Sequence, residues 1–384
     1  MEKSVNFVPP APKKRRPRMA PYIQPNQRLT LNNIKQQPQK HLCKGKVVSE
    51  VYVEGNFLGL PEKGSKVDIV VLQLPYELTT SYGQGTAQGP AACIIASGQV
   101  ELFDSSLGED LPAGADIFTA PEWDGEGKSL AEQLDNMCEY LTPWYAGDCF
   151  PVILGGEHGI LPPIIRASLH HPLVNGELNR LTVVQIDAHA DLRDQLDGEE
   201  YSHACAASRS LDLGIGHLLQ IGIRAYSKQE AEYIEKDERI TTFFARDTQS
   251  PTSGEAAWAA CLQSLRNLEG PVHLTIDIDG LDGSLVPATG TPVPGGLSFW
   301  QATETIEAVF SAPKATVISV DVNEIVAQED TPLTQFTAAM LATKAMAIHL
   351  KARKEGRWNV HGSQTGRDRE VKSSDYFQQQ KKVK

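Results

Sequence analysis

The chain is poor in the features that mark specialised protein classes. Its 384 residues hold six cysteines (Cys43, Cys93, Cys138, Cys149, Cys205 and Cys261), widely scattered and without a Cys-x-x-Cys pair. That spacing argues against a disulfide framework and a cysteine-ligated zinc, and for reduced thiols. No stretch approaches the roughly 20 consecutive apolar residues that cross a bilayer. The N-terminal MEKSVNFVPPAPKKRRPR has no apolar segment of a secretory signal. A cytoplasmic protein with no membrane partner is the expectation. Basic residues are concentrated at one end: residues 1–50 carry a net +9 (eleven Lys or Arg against Glu2 and Glu50), so a total of -12 leaves residues 51–384 at -21. An acidic body argues against nucleic acid as a partner and suits a small cationic substrate. The KKRRPR run at 13–18 reads as a solvated tail.

What the chain does have is an ordinary globular interior, with 41% hydrophobic and 22% charged residues, and no visible internal repeat. The runs VDIVVLQL (67–74), FPVIL (150–154), LTVVQI (181–186), LLQIGI (218–223), VHLTIDI (272–278) and TVISVDV (316–322) are almost continuously apolar. Strands of a parallel sheet covered on both faces read this way. Helical windows at 128–145, 254–269, 298–310 and 333–350 fall between or after them. The pattern predicts an α/β fold: a single three-layer domain with a mostly parallel central sheet and helices on both faces, spanning 67–352. Residues 1–66 are expected to form a basic, Pro-rich, partly disordered extension, and 353–384 a polar tail.

In open α/β sheets ligands bind outside the carboxyl ends of the strands, and four of these ends carry unusual chemistry. FPVIL runs into His158, and LTVVQI into Asp187, His189 and Asp191. VHLTI runs into Asp277, Asp279 and Asp282, and TVISV into Asp321 and Glu324. Side chains at i and i+2 of an extended segment share a face, so Asp187 pairs with His189 and Asp277 with Asp279. Carboxylates crowded on one rim repel unless cations hold them. Mixed imidazole and carboxylate donors suit manganese, iron, nickel or zinc, and six such ligands suffice for two ions that activate one water.

Taken in chain order, these motifs resemble those of the ureohydrolases, the family of arginases, agmatinases and guanidine hydrolases. PYELTTSYGQGTAQGP at 75–90 resembles the family's glycine-rich loop, GGEHG at 155–159 its GGDHS, and DAHAD at 187–191 its DAHxD. SHACAASR at 202–209, TIDIDGLDGSLVPATGTPVPGGL at 275–297 and SVDVNEI at 319–325 resemble three further family motifs. The resemblance implies one metal held by His158, Asp187, Asp191 and Asp277, and a second held by His189, Asp187, Asp277 and Asp279. It implies a guanidinium anchor at Glu324, a proton shuttle at His203, a catalytic part for Asp191, and self-association as a trimer or hexamer. Manganese is the expected metal, with nickel as the alternative.

The chain departs from the family pattern in several places. Glu157 and Gly159 replace an aspartate and a serine beside His158, Gly283 replaces a proline, and Asn323 stands next to Glu324. The segment LRDQLDGEEY at 192–201 lacks the hydroxyl- and amide-rich pattern by which arginases hold the head of arginine. The expected reaction is therefore hydrolysis of agmatine to putrescine and urea. The alternative is a guanidine hydrolase, in which Trp300 closes the pocket and Thr79 or Thr80 bonds a guanidinium NH2. A guanidino-acid hydrolase or a non-catalytic family member ranks lower.

Overall fold

The computed structural model describes residues 55–62, 67–125, 127, 129–358 and 360. Chain order is β1 (Ile69–Leu74), α1 (Gly89–Ser97), the short antiparallel pair β2 (Phe103–Asp104) and β3 (Glu109–Asp110), β4 (Ile117–Thr119), α2 (Leu130–Tyr145), β5 (Phe150–Gly155), α3 (Leu161–Ser168), β6 (Thr182–Ile186) and α4 (Ala206–Asp212). There follow β7 (His217–Ile223), α5 (Lys228–Lys236), β8 (Ile240–Phe244), α6 (Ala245–Thr248), α7 (Gly254–Arg266), β9 (Glu269–Asp277), α8 (Phe299–Ser311), β10 (Lys314–Asn323) and α9 (Leu333–Lys354). Among the described residues an eight-stranded sheet runs in the order β4-β1-β5-β10-β9-β6-β7-β8, and all its pairings are parallel.

Alternation along the apolar strands sets the layering. In β1, Ile69 and Val71 join one hydrophobic cluster with side chains of α1, α7, α8 and α9, while Val70, Leu72 and Leu74 join another with α2, α3 and α4. Each strand therefore feeds two cores, which is why its sequence is apolar without a polar face. The chain is thus a three-layer α/β protein. No described helix is long and apolar enough to cross a membrane.

Packing against this body reaches beyond 67 and 352. Asn56 donates to the Ile117 carbonyl at 2.9 Å and accepts from Thr119 N at 3.1 Å, and Phe57 is fully buried. At the other end the Trp358 indole donates to the Val317 carbonyl at 3.3 Å. The remainder of the expected extension and tail, residues 1–54, 63–66, 359 and 361–384, lies outside the described residues.

Candidate active site

The helices return the chain so that β5 and β6, successive long strands in sequence, are separated by β10 and β9 in the sheet. The ends of these four neighbours therefore form one rim. His158 follows β5 by three residues, Asp277 closes β9, Asp187 follows β6 directly and Glu324 follows β10 directly. The six expected metal ligands meet there. His158 Nδ1 lies 2.9 Å from Asp191 Oδ2, 3.1 Å from Asp187 Oδ2 and 3.7 Å from Asp277 Oδ2. His189 Nδ1 lies 3.1 Å from Asp279 Oδ2 and 3.7 Å from Asp187 Oδ1. All are buried except His189, which is partly exposed. Asp191 and Glu324 adopt positive φ, 52° and 60°, a conformation that costs a non-glycine residue about 1–3 kcal/mol and tends to persist where function requires it.

The titration of the cluster shows an excess of negative charge. Burial pushes the Asp277 carboxyl well above its usual range, reinforced by the charges of Asp279 and Asp187. Burial and the Asp187 charge likewise raise Asp191. Burial opposes the Asp187 carboxylate too, but the adjacent imidazoles of His158 and His189 prevail and hold it well below the usual range. Burial favours neutral imidazoles, yet Asp187 and Asp279 raise His189 to about 11 and Asp187 and Asp191 raise His158 well above its ordinary value. Raised carboxyls beside raised imidazoles mark a cluster short of positive charge, which bound cations would supply while leaving the imidazoles neutral.

The donor set fits divalent cations. His158, Asp187 and Asp191 form one group of converging ligand atoms within 4.8 Å of one another, and Asp187, His189 and Asp279 form a second. Despite its short distances to carboxylates, the buried Nδ1 of His158 is not aligned to hydrogen-bond any described group. A nitrogen aimed between carboxylates rather than at one is placed for a cation.

Outer partners fix the ligands. His158 Nε2 contacts Thr275 Oγ1 at 2.9 Å, Thr275 donates to Asp321 Oδ1 at 2.8 Å, and Asp321 Oδ2 meets His273 Nε2 at 2.6 Å. Gln185 donates to Asp187 Oδ2 at 2.8 Å and accepts from Gln220 at 2.8 Å, and Gln220 accepts from Thr242 at 2.9 Å. These polar residues share the face of the strands on which the ligands lie. The period of two that pairs Asp277 with Asp279 also places His273 and Thr275 on the side of Asp277, a readable signal that the sequence analysis passed over. Arg224, also missed, donates to the carbonyls of Asp279 at 2.7 Å, Leu281 at 3.1 Å and Val293 at 2.5 Å, clamping the loop that carries Asp279.

Above the ligands lies a narrow cleft lined by Thr80, Ser81, Tyr82, His158, His189, Asp191, His203, Asp277, Asp279, Gly290, Thr291 and Glu324. Glu324 Oε1 accepts from His158 N at 2.8 Å, and a Cβ on Gly290 would stand 3.2 Å from Glu324 Oε2. Glycine keeps that oxygen accessible. Burial pushes Glu324 well above the usual carboxylate range, against the His158 hydrogen bond. Burial, then the positive His189 and His158, lower His203 to about 4.

Three expectations are corrected by the geometry. Trp300 does not close the cleft: it is 72% exposed, because a capping box of Ser298 with Gln301 starts α8 just before it and leaves its ring on the outer side of the first turn. Thr79 is absent from the cleft lining and is bonded to Glu157 and His203 instead. Asp282 is not part of the cluster, since it accepts hydrogen bonds from Ser284, Gly295 and Gly296 within its own loop. Asn323 is buried below Glu324, donating to Asp321.

An N(1)-aminopropylagmatine ureohydrolase of Synechocystis sp. is 34% identical over 282 residues, covering 72% of this chain and 88% of that protein. An agmatinase of Pyrococcus horikoshii is 30% identical over 278 residues, covering 71% and 89%. The crystal structure of the agmatine ureohydrolase of Thermoplasma volcanium shares the fold, with a TM-score of 0.65 at 24% identity over 80% of this chain and 96% of that one. Residues 67–348 match the model of the Arginase family, whose members are binuclear metal-dependent hydrolases of guanidino C–N bonds, and the chain belongs to that family.

Proposed function

We propose that the protein hydrolyses linear guanidino-amines, agmatine before others, releasing urea and the corresponding polyamine, putrescine in the case of agmatine. The lining of the cleft carries this reading: it offers carboxylates and hydroxyls but no Lys or Arg among the described residues. A substrate with a carboxylate tail, such as arginine or 4-guanidinobutyrate, would meet no lysine or arginine of this lining. A guanidinium joined to an amine meets acceptors throughout. The names of the relatives point the same way. The guanidine-hydrolase alternative relied on a closing Trp300, and that support falls away with its exposure.

In this reading His158, Asp187, Asp191 and Asp277 hold one cation and His189, Asp187, Asp277 and Asp279 the other, with manganese favoured over nickel by the predominance of carboxylate donors. When bound, the ions supply Lewis acidity and lower the pKa of water from about 15.7 toward 7. Glu324 faces the guanidinium, whose planar array of donors matches a carboxylate. The cation in turn favours the ionised form of this buried acid. Water adds its oxygen to the guanidino carbon and gives a proton to the neutral His203; the bond from that carbon to the alkyl nitrogen breaks, His203 passes this proton to that nitrogen, and water's second proton follows as the carbonyl of urea forms, so that urea and a protonated amine leave. Asp191, held at positive φ beside His158, keeps the geometry of the rim. We further propose a cytoplasmic homo-oligomer, trimer or hexamer, which light scattering would test.

The experiment is urea release from agmatine, N(1)-aminopropylagmatine, arginine, 4-guanidinobutyrate and guanidine, each with manganese and with nickel. The two guanidino-amines should be turned over at least tenfold faster than the acids; turnover of guanidine alone would replace this reading.

A further inference from the structure

We propose that Glu157 and Thr79 are positioning residues that fix the ring of His203, and that Glu157 and Gly159 form a matched pair serving this connection. The inference rests on the reading of His203 as the proton donor. Glu157 is fully buried. Its Oε2 accepts from the backbone of Leu78 at 3.0 Å and of Thr79 at 2.7 Å, and its Oε1 accepts from the Thr79 hydroxyl at 2.8 Å. A threonine hydroxyl has one hydrogen and two lone pairs. With the hydrogen given to Glu157, Thr79 Oγ1 is left as an acceptor; it accepts from His203 N at 2.9 Å and stands 3.2 Å from His203 Nδ1.

An acceptor opposite Nδ1 puts the ring proton there and the lone pair on Nε2. Nε2 is then the nitrogen that takes up and delivers a proton, in a residue that lines the cleft. The carboxylate of Glu157 thus favours this tautomer of His203 through Thr79, and the Ser202 hydroxyl, 3.3 Å from the same Nδ1, can rotate to accept from it as well. Gly159 makes the arrangement possible. A Cβ at that position would stand 3.2 Å from Glu157 Oε1 and 3.6 Å from His203 N, so a serine there would crowd the longer acid. Glutamate at 157 and glycine at 159 read as one adaptation, not two.

The test uses the manganese-loaded full chain and agmatine. Thr79→Val should lower kcat by roughly 10- to 100-fold, the usual cost of losing an outer partner, with metal content unchanged and KM within about threefold. Thr79→Ser should restore most of the turnover, and Thr79→Val should add nothing in a His203→Ala background. Losses that multiply in the double variant, or metal lost from Thr79→Val, would overturn the proposal. A crystal structure of metal-loaded Thr79→Val reads positioning without turnover. A displaced His203 ring is expected, and an unmoved one contradicts the proposal. If the wild type released urea from no guanidino compound, the functional reading would fail, while the ring position would still decide this one.

Discussion

The four central strands of the sheet and the four outer ones share an apolar interior, yet they end differently. β5, β10, β9 and β6 end in His158, Glu324, the pair Asp277 and Asp279, and the triplet Asp187, His189 and Asp191. β4 ends in Ala120 and β8 passes straight into α6; β1 leads to the rim loop that carries Thr80 to Tyr82, and β7 leads to the clamp Arg224. Charge is gathered where the sheet is most deeply covered, and walls and clamps lie at its sides. Burying several carboxylates together is expensive without compensating cations. The contrast therefore locates the chemistry: the centre offers the groups that could hold ions, and the flanks hold the centre in shape.

The strongest way to break this contrast is at the shared ligands. Asp187→Ala or Asp277→Ala should abolish turnover, by roughly a thousandfold or more, together with metal content, since each serves both cations. Elemental analysis alongside the urea assay would show it, and an active variant with full metal content would remove the assignment. A smaller loss is expected one layer out. Thr275→Val unties His158 Nε2 from Asp321 and should weaken metal binding by roughly 10- to 100-fold, measured by competition with a chelator.

Away from the rim the expected effect is on stability. Burial lowers His171 to about 4, and burial followed by Arg353 lowers His349 well below the ordinary histidine value. Unfolded histidine titrates near 6.5, so as pH falls from 7 toward 4 the unfolded chain takes up protons that the folded chain refuses, and stability falls with it. His171 alone should account for about 2 kcal/mol at pH 5. In His349→Phe, which keeps the stacking on Phe150, the drop in melting temperature between pH 7 and pH 5 should shrink. The smallest effect is expected for Trp300→Ala: an exposed side chain outside the cleft should change kcat/KM for agmatine by less than about threefold. A large gain of activity on longer guanidino compounds would return Trp300 to the site.

Which parts of this were legible in the sequence follows from how each is encoded. The six long strands and the four long helices are written as local apolar patterns, and they appear where the patterns put them. β4 and β8 were not read, because IFT is short and the adjacent threonines of ITTFF break both an alternating and a continuous apolar pattern. Nor were α1 and α3, which open on Gly-Pro and Leu-Pro-Pro. The rim residues were legible because polar groups at the ends of apolar strands stand out. The role of Thr79 was not, because it depends on Glu157, 78 residues away. Trp300 was misplaced for a related reason: a motif shows that an aromatic begins a helix, while the capping box and the packing decide which way it faces.

The most direct test of the central claim is anomalous diffraction from crystals grown with manganese. Two peaks per subunit are expected, one among His158, Asp187, Asp191 and Asp277 and the other among His189, Asp187, Asp277 and Asp279. A single peak, or peaks away from the ends of the four central strands, would contradict it.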